Sequence, residues 1–323
     1  MLRPRYAWGL CLLALLAVAA FAVTLLIGSA GLSPGRAFAA LLGGGDEFSR
    51  LIVWTVRLPR ATAAFAVGAL LALAGVLLQA LFRNPLADPL ILGVSGGAAV
   101  GALAGMLVGA SSALLHGYAT AGGALVGLMV LLLGRGGGVT RLLLCGVVLA
   151  SACGALITVM LTLADYGQLR GMVFWLAGDL SWAQQPRLEL LAAAIGLLAA
   201  AVGGRWLNVL AAGEVRSASV GLPADGARLV VFIVSAALTA LAVIGGGMIG
   251  FVGLVAPHLV RLAFVTSDHR VIAPAAALGG GTLLCFADLL SRTLAAPREL
   301  PVGAVMALIG APVFVLLLRR QTR

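Results

Sequence analysis

The stretch RWLNVLAAGEVRSASVGLPADGAR, residues 205 to 228, lies between two long apolar runs, AAAIGLLAAAVGG before it and LVVFIVSAALTALAVIGGG after it. It carries Arg205, Glu214, Arg216, Asp225 and Arg228, with small residues at Ala211, Ala212, Gly213, Ser217, Ala218, Ser219 and Gly221. Hydrocarbon cannot satisfy so many polar groups, so the stretch must be an aqueous loop between two membrane-spanning helices. Its residues suit two short helices, Leu207 to Ala212 and Glu214 to Val220. Glu214 is favourably placed in a first turn, and Pro223 ends the second helix. Such a compact small-residue element is either a docking piece for a partner or an ordinary surface loop.

Working outward, the whole chain shares the character of the two flanks. It has 323 residues, 62% of them hydrophobic and 10% charged, with a mean hydropathy of +1.14. Soluble domains carry far more charge than this. The chain therefore reads as an all-α polytopic membrane protein, one transmembrane domain over residues 1–323. The net charge of +10 comes from 21 arginines and no lysine, scattered between apolar runs without forming a patch. That pattern argues against nucleic acid as a partner and for the lipid bilayer as the surroundings. Cys11, Cys145, Cys153 and Cys285 sit inside apolar runs without metal spacing and read as small core residues.

Ten spans of about the 20 residues a bilayer requires are expected. They are Met1 to Ile27, a retained helix rather than a cleaved signal, then about Ala61 to Leu81, Leu90 to Val108, Tyr118 to Leu133 and Leu142 to Leu163. The rest are about Leu188 to Val202, Leu229 to Ile244, Gly245 to Phe264, Val271 to Leu290 and Val302 to Leu318. Ser33 to Pro59 reads as an aqueous amphipathic segment, and Trp175 and Trp182 as interface anchors. An even number of spans puts both termini on one side. With the termini in the cytoplasm, 13 of the 21 arginines lie on the cytoplasmic side, the expected bias.

Three arginines fall on the outer side at helix mouths, Arg57 and Arg60 in RLPR and Arg292 at the end of the ninth span. They are either interfacial anchors or cationic sockets for an acidic partner. Inside the spans, Asp288 and His258 read as satisfied structural groups rather than as a proton relay. There is no Walker lysine motif and no HExxH. GVSGG, residues 93 to 97, formally fits GxSxG but lies in an apolar span and not on a strand-to-helix elbow, so no catalytic residue is assigned. Gly97, Gly101 and Gly105 share one helix face, which suits either close packing or a smooth path.

Four blocks carry a resemblance. They are RLPRATAAFAVGALLALAGVLLQALFRNPLADPLILGVSGGAAVG (57 to 101), LNVLAAGEVRSASVGL (207 to 222), GFVGLVAPHLVRL (250 to 262) and DLLSRTLAAPRELPVGAVMALIGAPVFVLLL (288 to 318). Together, and in this order, they resemble the FecCD-type permeases, the membrane subunits of ABC importers for iron-siderophores, haem and vitamin B12. The resemblance implies the type II importer permease fold and a homodimer with its path on the dimer axis. Its partners would be two cytoplasmic ATPase subunits and a periplasmic binding protein. No cofactor would be bound by this chain, since ATP sits on the partner ATPase. The implied location is the bacterial inner membrane with both termini cytoplasmic.

By the same resemblance, residues 205–228 hold the element that rests on the ATPase, with Gly213, Glu214, Arg216, Ser217, Ala218 and Gly221 at the contact. Arg57, Arg60 and Arg292 match the positions that meet glutamates of the binding protein. Asn84 and Leu86, with Val139 and Thr140, match the two cytoplasmic gate loops, the second being glycine-rich here. The match leans towards the vitamin B12 and haem members without separating them. A secondary carrier driven by an ion gradient is the competing class, and it would need no partner at residues 205–228.

Overall fold

The computed structural model describes residues 4–29, 31–181, 183, 186–219 and 224–321, and its regular structure among these is helical throughout. Ten apolar helices carry the fold. Seven are long and apolar enough to cross a membrane: α1 (Pro4–Leu26), α2 (Glu47–Phe82), α4 (Ser112–Gly134), α5 (Gly138–Leu163), α6 (Arg187–Ala211), α7 (Ala224–Gly246) and α9 (His269–Thr293). Three apolar helices are shorter: α3 (Val94–Leu107), α8 (Val252–Phe264) and α10 (Val302–Gln321, apolar over Val302–Leu316). The expected ten therefore resolve into seven full-length spans and three shorter helices.

Four of the boundaries that differ from the sequence reading have an identifiable physical reason. The aqueous segment expected over Ser33 to Pro59 holds a short helix, Pro34–Leu41, and then runs straight into α2 at Glu47. A proline ring clashes with the carbonyl four residues back, which at Pro59 is that of Thr55. The chain widens into a π-helical stretch over Ile52–Arg57, where Leu58 N–H reaches back five residues to Val53 O, and the helix passes the proline unbroken.

The short helix expected over Leu207 to Ala212 is the end of α6. No strong breaker lies between Val202 and Ala211, and Gly204 is accommodated because Arg270 packs where its side chain would be. Near the other end of the bundle, α7 continues to Gly246 and α8 begins only at Val252, not at Gly245. Residues 247 to 251 form a break with Gly247 at φ +72° and Phe251 at φ +68°. Beside this break the residue that ends α7 is tied in, since Asp179 N–H donates to Gly246 O, and Val302 N–H donates to the neighbouring Gly178 O, both at 2.9 Å. Lastly, α3 starts at Val94, after a 3-10 turn over Pro89–Leu92 whose first N–H, that of Leu90, donates to the Asp88 carboxylate at 2.7 Å.

Helix α2 is the axis of the bundle and is almost wholly buried from Arg60 to Leu81, packed against α6, α7, α8 and α9. Helices α1 and α5 are mostly exposed and lie at the periphery. Lipid is as apolar as leucine, so association inside a membrane relies on close packing rather than on the hydrophobic effect. Small residues supply it. A methyl group at Gly75 would overlap the backbone of Gly253 on α8, so α2 and α8 cross backbone to backbone. The Gly97, Gly101 and Gly105 face packs in the same way against α4, on Gly122 and Tyr118. It is a packing face in this chain and not the wall of a path. Cys153 and Cys285 are buried as expected, whereas Cys11 lies exposed on α1. The anchor expected at Trp182 lies outside the described residues.

Candidate functional site

At the end of the bundle where α1 begins and α10 ends, α6 stops at Ala211 and the backbone turns through Gly213, whose φ of +103° is a conformation open to glycine. A helix over Glu214–Ser219 follows at once. Ser217 locks the two together. Its hydroxyl donates to Gly213 O at 2.9 Å and to Val209 O at 3.3 Å, and the residue is 1% exposed. Arg216 is exposed beside it. The helix thus projects as a rigid continuation of α6. Glu214 and Ala218 lie within it, while Gly221, Val220 and Pro223 lie outside the described residues.

The segment expected as the first gate is a neighbour of this turn. Arg83 ends α2 in a left-handed conformation, and a side chain on Gly213 would stand 3.3 Å from Arg83 Nη1. Asn84 and Leu86 are exposed in the loop that follows, shaped by Leu86 N–H donating to Asn84 Oδ1 at 2.9 Å. Val139 and Thr140 open α5 at the same end. Val139 lines a crevice of about 360 Å³ with Gly134, Arg135 and Arg228. No hydrogen bond among the described residues joins the two segments.

A junction that the sequence reading missed ties this end to α9. Asn208, on the last turn of α6, donates to Asp268 Oδ1 at 2.8 Å and accepts from His269 N–H at 2.8 Å. Asp268 caps α9 by accepting from Arg270 N–H at 3.0 Å, and it pairs with the Arg270 guanidinium at 2.6 Å. Those hydrogen bonds, from Arg270 first and Asn208 next, hold the Asp268 carboxyl well below the usual carboxylate range. The signal was available, because an Asp directly before an apolar helix is an N-cap pattern.

At the opposite end, Arg57, Arg60 and Arg292 come together, but not as exposed sockets. They are 3%, 7% and 4% exposed. Arg57 Nη1 donates to Leu25 O and Leu26 O, both at 2.8 Å, and Arg292 Nη2 reaches Thr24 O at 3.4 Å. These carbonyls are the unsatisfied acceptors at the C-terminus of α1, where cations are favourable. Gly28 leaves room, since a side chain there would meet Arg57 Nε at 3.2 Å and Arg292 Nη1 at 3.3 Å. Arg60 has two carboxylate partners, Asp288 Oδ1 at 2.9 Å from Nε and Glu299 Oε2 at 2.7 Å from Nη1. Arg292 completes the cluster with Asp288 Oδ2 at 3.0 Å.

Asp288 is therefore a structural group held between two guanidiniums, its Oδ1 hydrogen-bonded to Arg60 and its Oδ2 ion-paired with Arg292 without a hydrogen bond. Its pairing with Arg292 is a four-residue spacing on one helix and was legible. Glu299 was missed, because nothing in the local sequence shows that the loop after α9 folds back on α2. The two bonds of Arg60 differ in strength. Removing one partner of a buried pair costs about 3–5 kcal/mol. A partly solvated pair is worth only about 0.2–1 kcal/mol.

Between the two ends, Arg261 donates to Gln79 Oε1 and Gln79 Nε2 donates to Gly253 O at 3.2 Å, bracing the α2–α8 crossing. His258 packs edge-on to Phe314 at 6.3 Å. Ser95 of the GVSGG run is fully buried and its hydroxyl donates to Leu90 O at 3.0 Å, which leaves no exposed elbow there. Among the described residues no cluster of His, Cys, Asp and Glu has the makings of a metal site.

Comparison with known proteins places this geometry. The family model of the FecCD transport family matches residues 15–320. The vitamin B12 import system permease protein BtuC of Escherichia coli O9:H4 (strain HS) is 38% identical over 326 residues, 99% of this chain and 97% of the relative. The same protein of Escherichia coli (strain K12 / DH10B) gives the same figures, 38% identity over 99% of this chain and 97% of its own length. Among solved structures, an inward-facing conformation of a metal-chelate type ABC transporter superposes with a TM-score of 0.83. It is 31% identical and is matched over 97% of this chain and 99% of its own. PsaBC from Streptococcus pneumoniae, in complex with a Fab, superposes with a TM-score of 0.57 at 15% identity, over 84% of this chain and 94% of its own, a likeness of fold alone.

Proposed function

Because the chain belongs to the FecCD transport family, we propose that it moves a large metal chelate from periplasm to cytoplasm by alternating access, powered by ATP on a separate chain. The chain is the permease subunit of an ABC importer with the type II permease fold. Its working form is a homodimer in the bacterial inner membrane with both termini cytoplasmic. Two ATPase subunits bind on the cytoplasmic face and a periplasmic binding protein delivers the chelate. A corrinoid is the first candidate, since the relatives named above import vitamin B12. This chain holds no cofactor and no catalytic residue in that scheme. Its contribution is a differential preference between inward-open and outward-open states.

The observation that carries this reading is the rigid join at Gly213. A helix over Glu214–Ser219, fastened to α6 through Ser217, is a lever that a partner can push. Asn208 hands the displacement from α6 to α9, and Arg83 stands beside the turn at the base of the first gate loop. ATP-driven closure of the ATPase pair would thus re-angle α6 and α9 and reposition Asn84 and Leu86. Val139 and Thr140 form the second gate. Arg57, Arg60 and Arg292 gather at the face where the binding protein docks, with Arg60 closest to solvent-exposed chain through Glu299.

Reconstitution tests the reading. Proteoliposomes holding the permease, its ATPase and its binding protein should take up cyanocobalamin, haem or a ferric siderophore only with ATP, and collapse of ion gradients should leave uptake intact. Ala218→Arg in the lever helix should leave insertion normal and reduce uptake at least tenfold. Uptake driven by an imposed proton gradient without ATP, or full uptake by the Ala218→Arg protein, would overturn it.

A further inference from the structure

We infer that Glu299 is an internal stand-in for the binding protein's carboxylate. In the undocked permease it occupies the outer side of Arg60, and docking exchanges it for an acidic side chain of the partner. The inference rests on the proposed docking role of Arg60.

The two carboxylates on Arg60 are unequal. Asp288 has no side-chain exposure and is shared with Arg292, so it is fixed from two sides. Glu299 holds Arg60 Nη1 at 2.7 Å while 35% of its own side chain faces solvent. It belongs to the run from Leu294 to Leu300 that links α9 to α10, most of which is exposed. Leu300 N–H donates to Ser291 O at 2.9 Å and anchors the far side of that run, leaving Glu299 next to a fixed point but at the surface. Arg60 itself is 7% exposed, so a partner's carboxylate reaches Nη1 only after Glu299 leaves.

The exchange is electrically sensible. Arg57, Arg60 and Arg292 set against Asp288 and Glu299 leave one net positive charge, three minus two. When Glu299 swings into solvent, the cluster around Arg60 presents two, which favours an acidic partner. Arg57 and Arg292 do not open in the same way, because Arg57 Nη1 and Arg292 Nη2 serve the buried end of α1 and Arg292 Nε pairs with Asp288, while the remaining Arg57 donor, Nη2, is itself buried without a partner among the described residues. Docking affinity therefore concentrates on Arg60, and Glu299 competes for it. Competition keeps the contact weak enough to release the partner after each delivery.

The test uses the permease–ATPase complex in nanodiscs and, as probe, the immobilised binding protein of the same import system. Glu299→Gln keeps the shape and removes the charge. Docking should become about two- to fivefold tighter at low salt, the size of a partly exposed ion pair, and the gain should fade as salt screens the contact. Independently of any partner, phenylglyoxal modification of Arg60, followed by mass spectrometry, should run several-fold faster in Glu299→Gln. Unchanged or weaker docking of Glu299→Gln, while Arg60→Gln still weakens docking, would overturn the stand-in role and leave the docking role of Arg60 in place. Unchanged docking of Arg60→Gln would overturn the docking role and the inference with it. An unchanged modification rate would also sink the inference.

Discussion

Asp288 is the residue on which the arginine cluster depends most. It has no exposure and faces two guanidinium groups, so Asp288→Asn leaves Arg60 and Arg292 buried against a neutral amide. A loss of about 3–5 kcal/mol is expected, seen as a large fall in Tm of the purified permease in detergent. Glu299→Gln removes a half-solvated partner of the same arginine and should cost no more than about 1 kcal/mol. Equal losses from the two substitutions would contradict the ranking of the two bonds. At the other end, Asp268 makes a prediction about pH. Its carboxyl is depressed in the folded protein, so its contribution to stability is full above the unfolded carboxylate value, about 3.9, and declines only as pH falls below it. The Tm difference between wild type and Asp268→Leu should stay flat from pH 8 to pH 5. A difference that shrinks across that window would mean the carboxyl is not held by Arg270 and Asn208.

Among the elements, α6 and α2 show what was legible and what was not. Their apolar runs announce spanning helices, and the charged stretch 205–228 announces an aqueous break. The position of the break was misplaced, because helical residues such as Leu207 and Leu210 have the same local preference in a loop helix as in an extended span. Tertiary contacts decide the matter. Arg270 covers Gly204 and Asp268 holds Asn208, and both come from a segment about sixty residues later. The π-helical stretch ahead of Pro59 was illegible for a similar reason, since a proline reads as a boundary unless packing carries the helix past it. For the α3–α4 pair, Gly101→Val should prevent the helices from closing, because a side chain at residue 101 would overlap the Tyr118 carbonyl. Overpacking of this kind costs about 1–3 kcal/mol or more. The expected readout is a smaller monodisperse peak in size-exclusion chromatography of the solubilised protein, and an unchanged peak would show that α3 can slide away from α4.

At the scale of the molecule, the alternation of ten helices is a topology that labelling can check. Cysteine at Leu294, in the exposed run after α9, should react with an impermeant maleimide in intact cells. Cysteine at Arg216, on the exposed side of the lever helix, should react only after permeabilisation. The reverse pattern would invert the protein and exchange the proposed faces for ATPase and binding protein. The fold class and the short helix after Gly213 were readable because both are written in long apolar runs and one polar interruption. The arginine cluster was half readable. Its cations stood out in RLPR and at Arg292, but burial and the folded-back Glu299 depend on how α1, α2 and α9 meet, which no single stretch encodes.

The crossing of α2 and α8 has a consequence for how this protein can change over generations. Gly75 meets Gly253 backbone to backbone. Most packing faults can be relieved by trimming the neighbour, but here the neighbour is already a glycine and has nothing left to trim. A methyl group at residue 75 therefore has no partner substitution that restores the fit. In a selection for regained transport starting from Gly75→Ala, revertants should return to glycine at 75 itself, and second-site suppressors at 253 should not be found. Position 75 is thereby held to glycine for as long as α8 crosses it at Gly253.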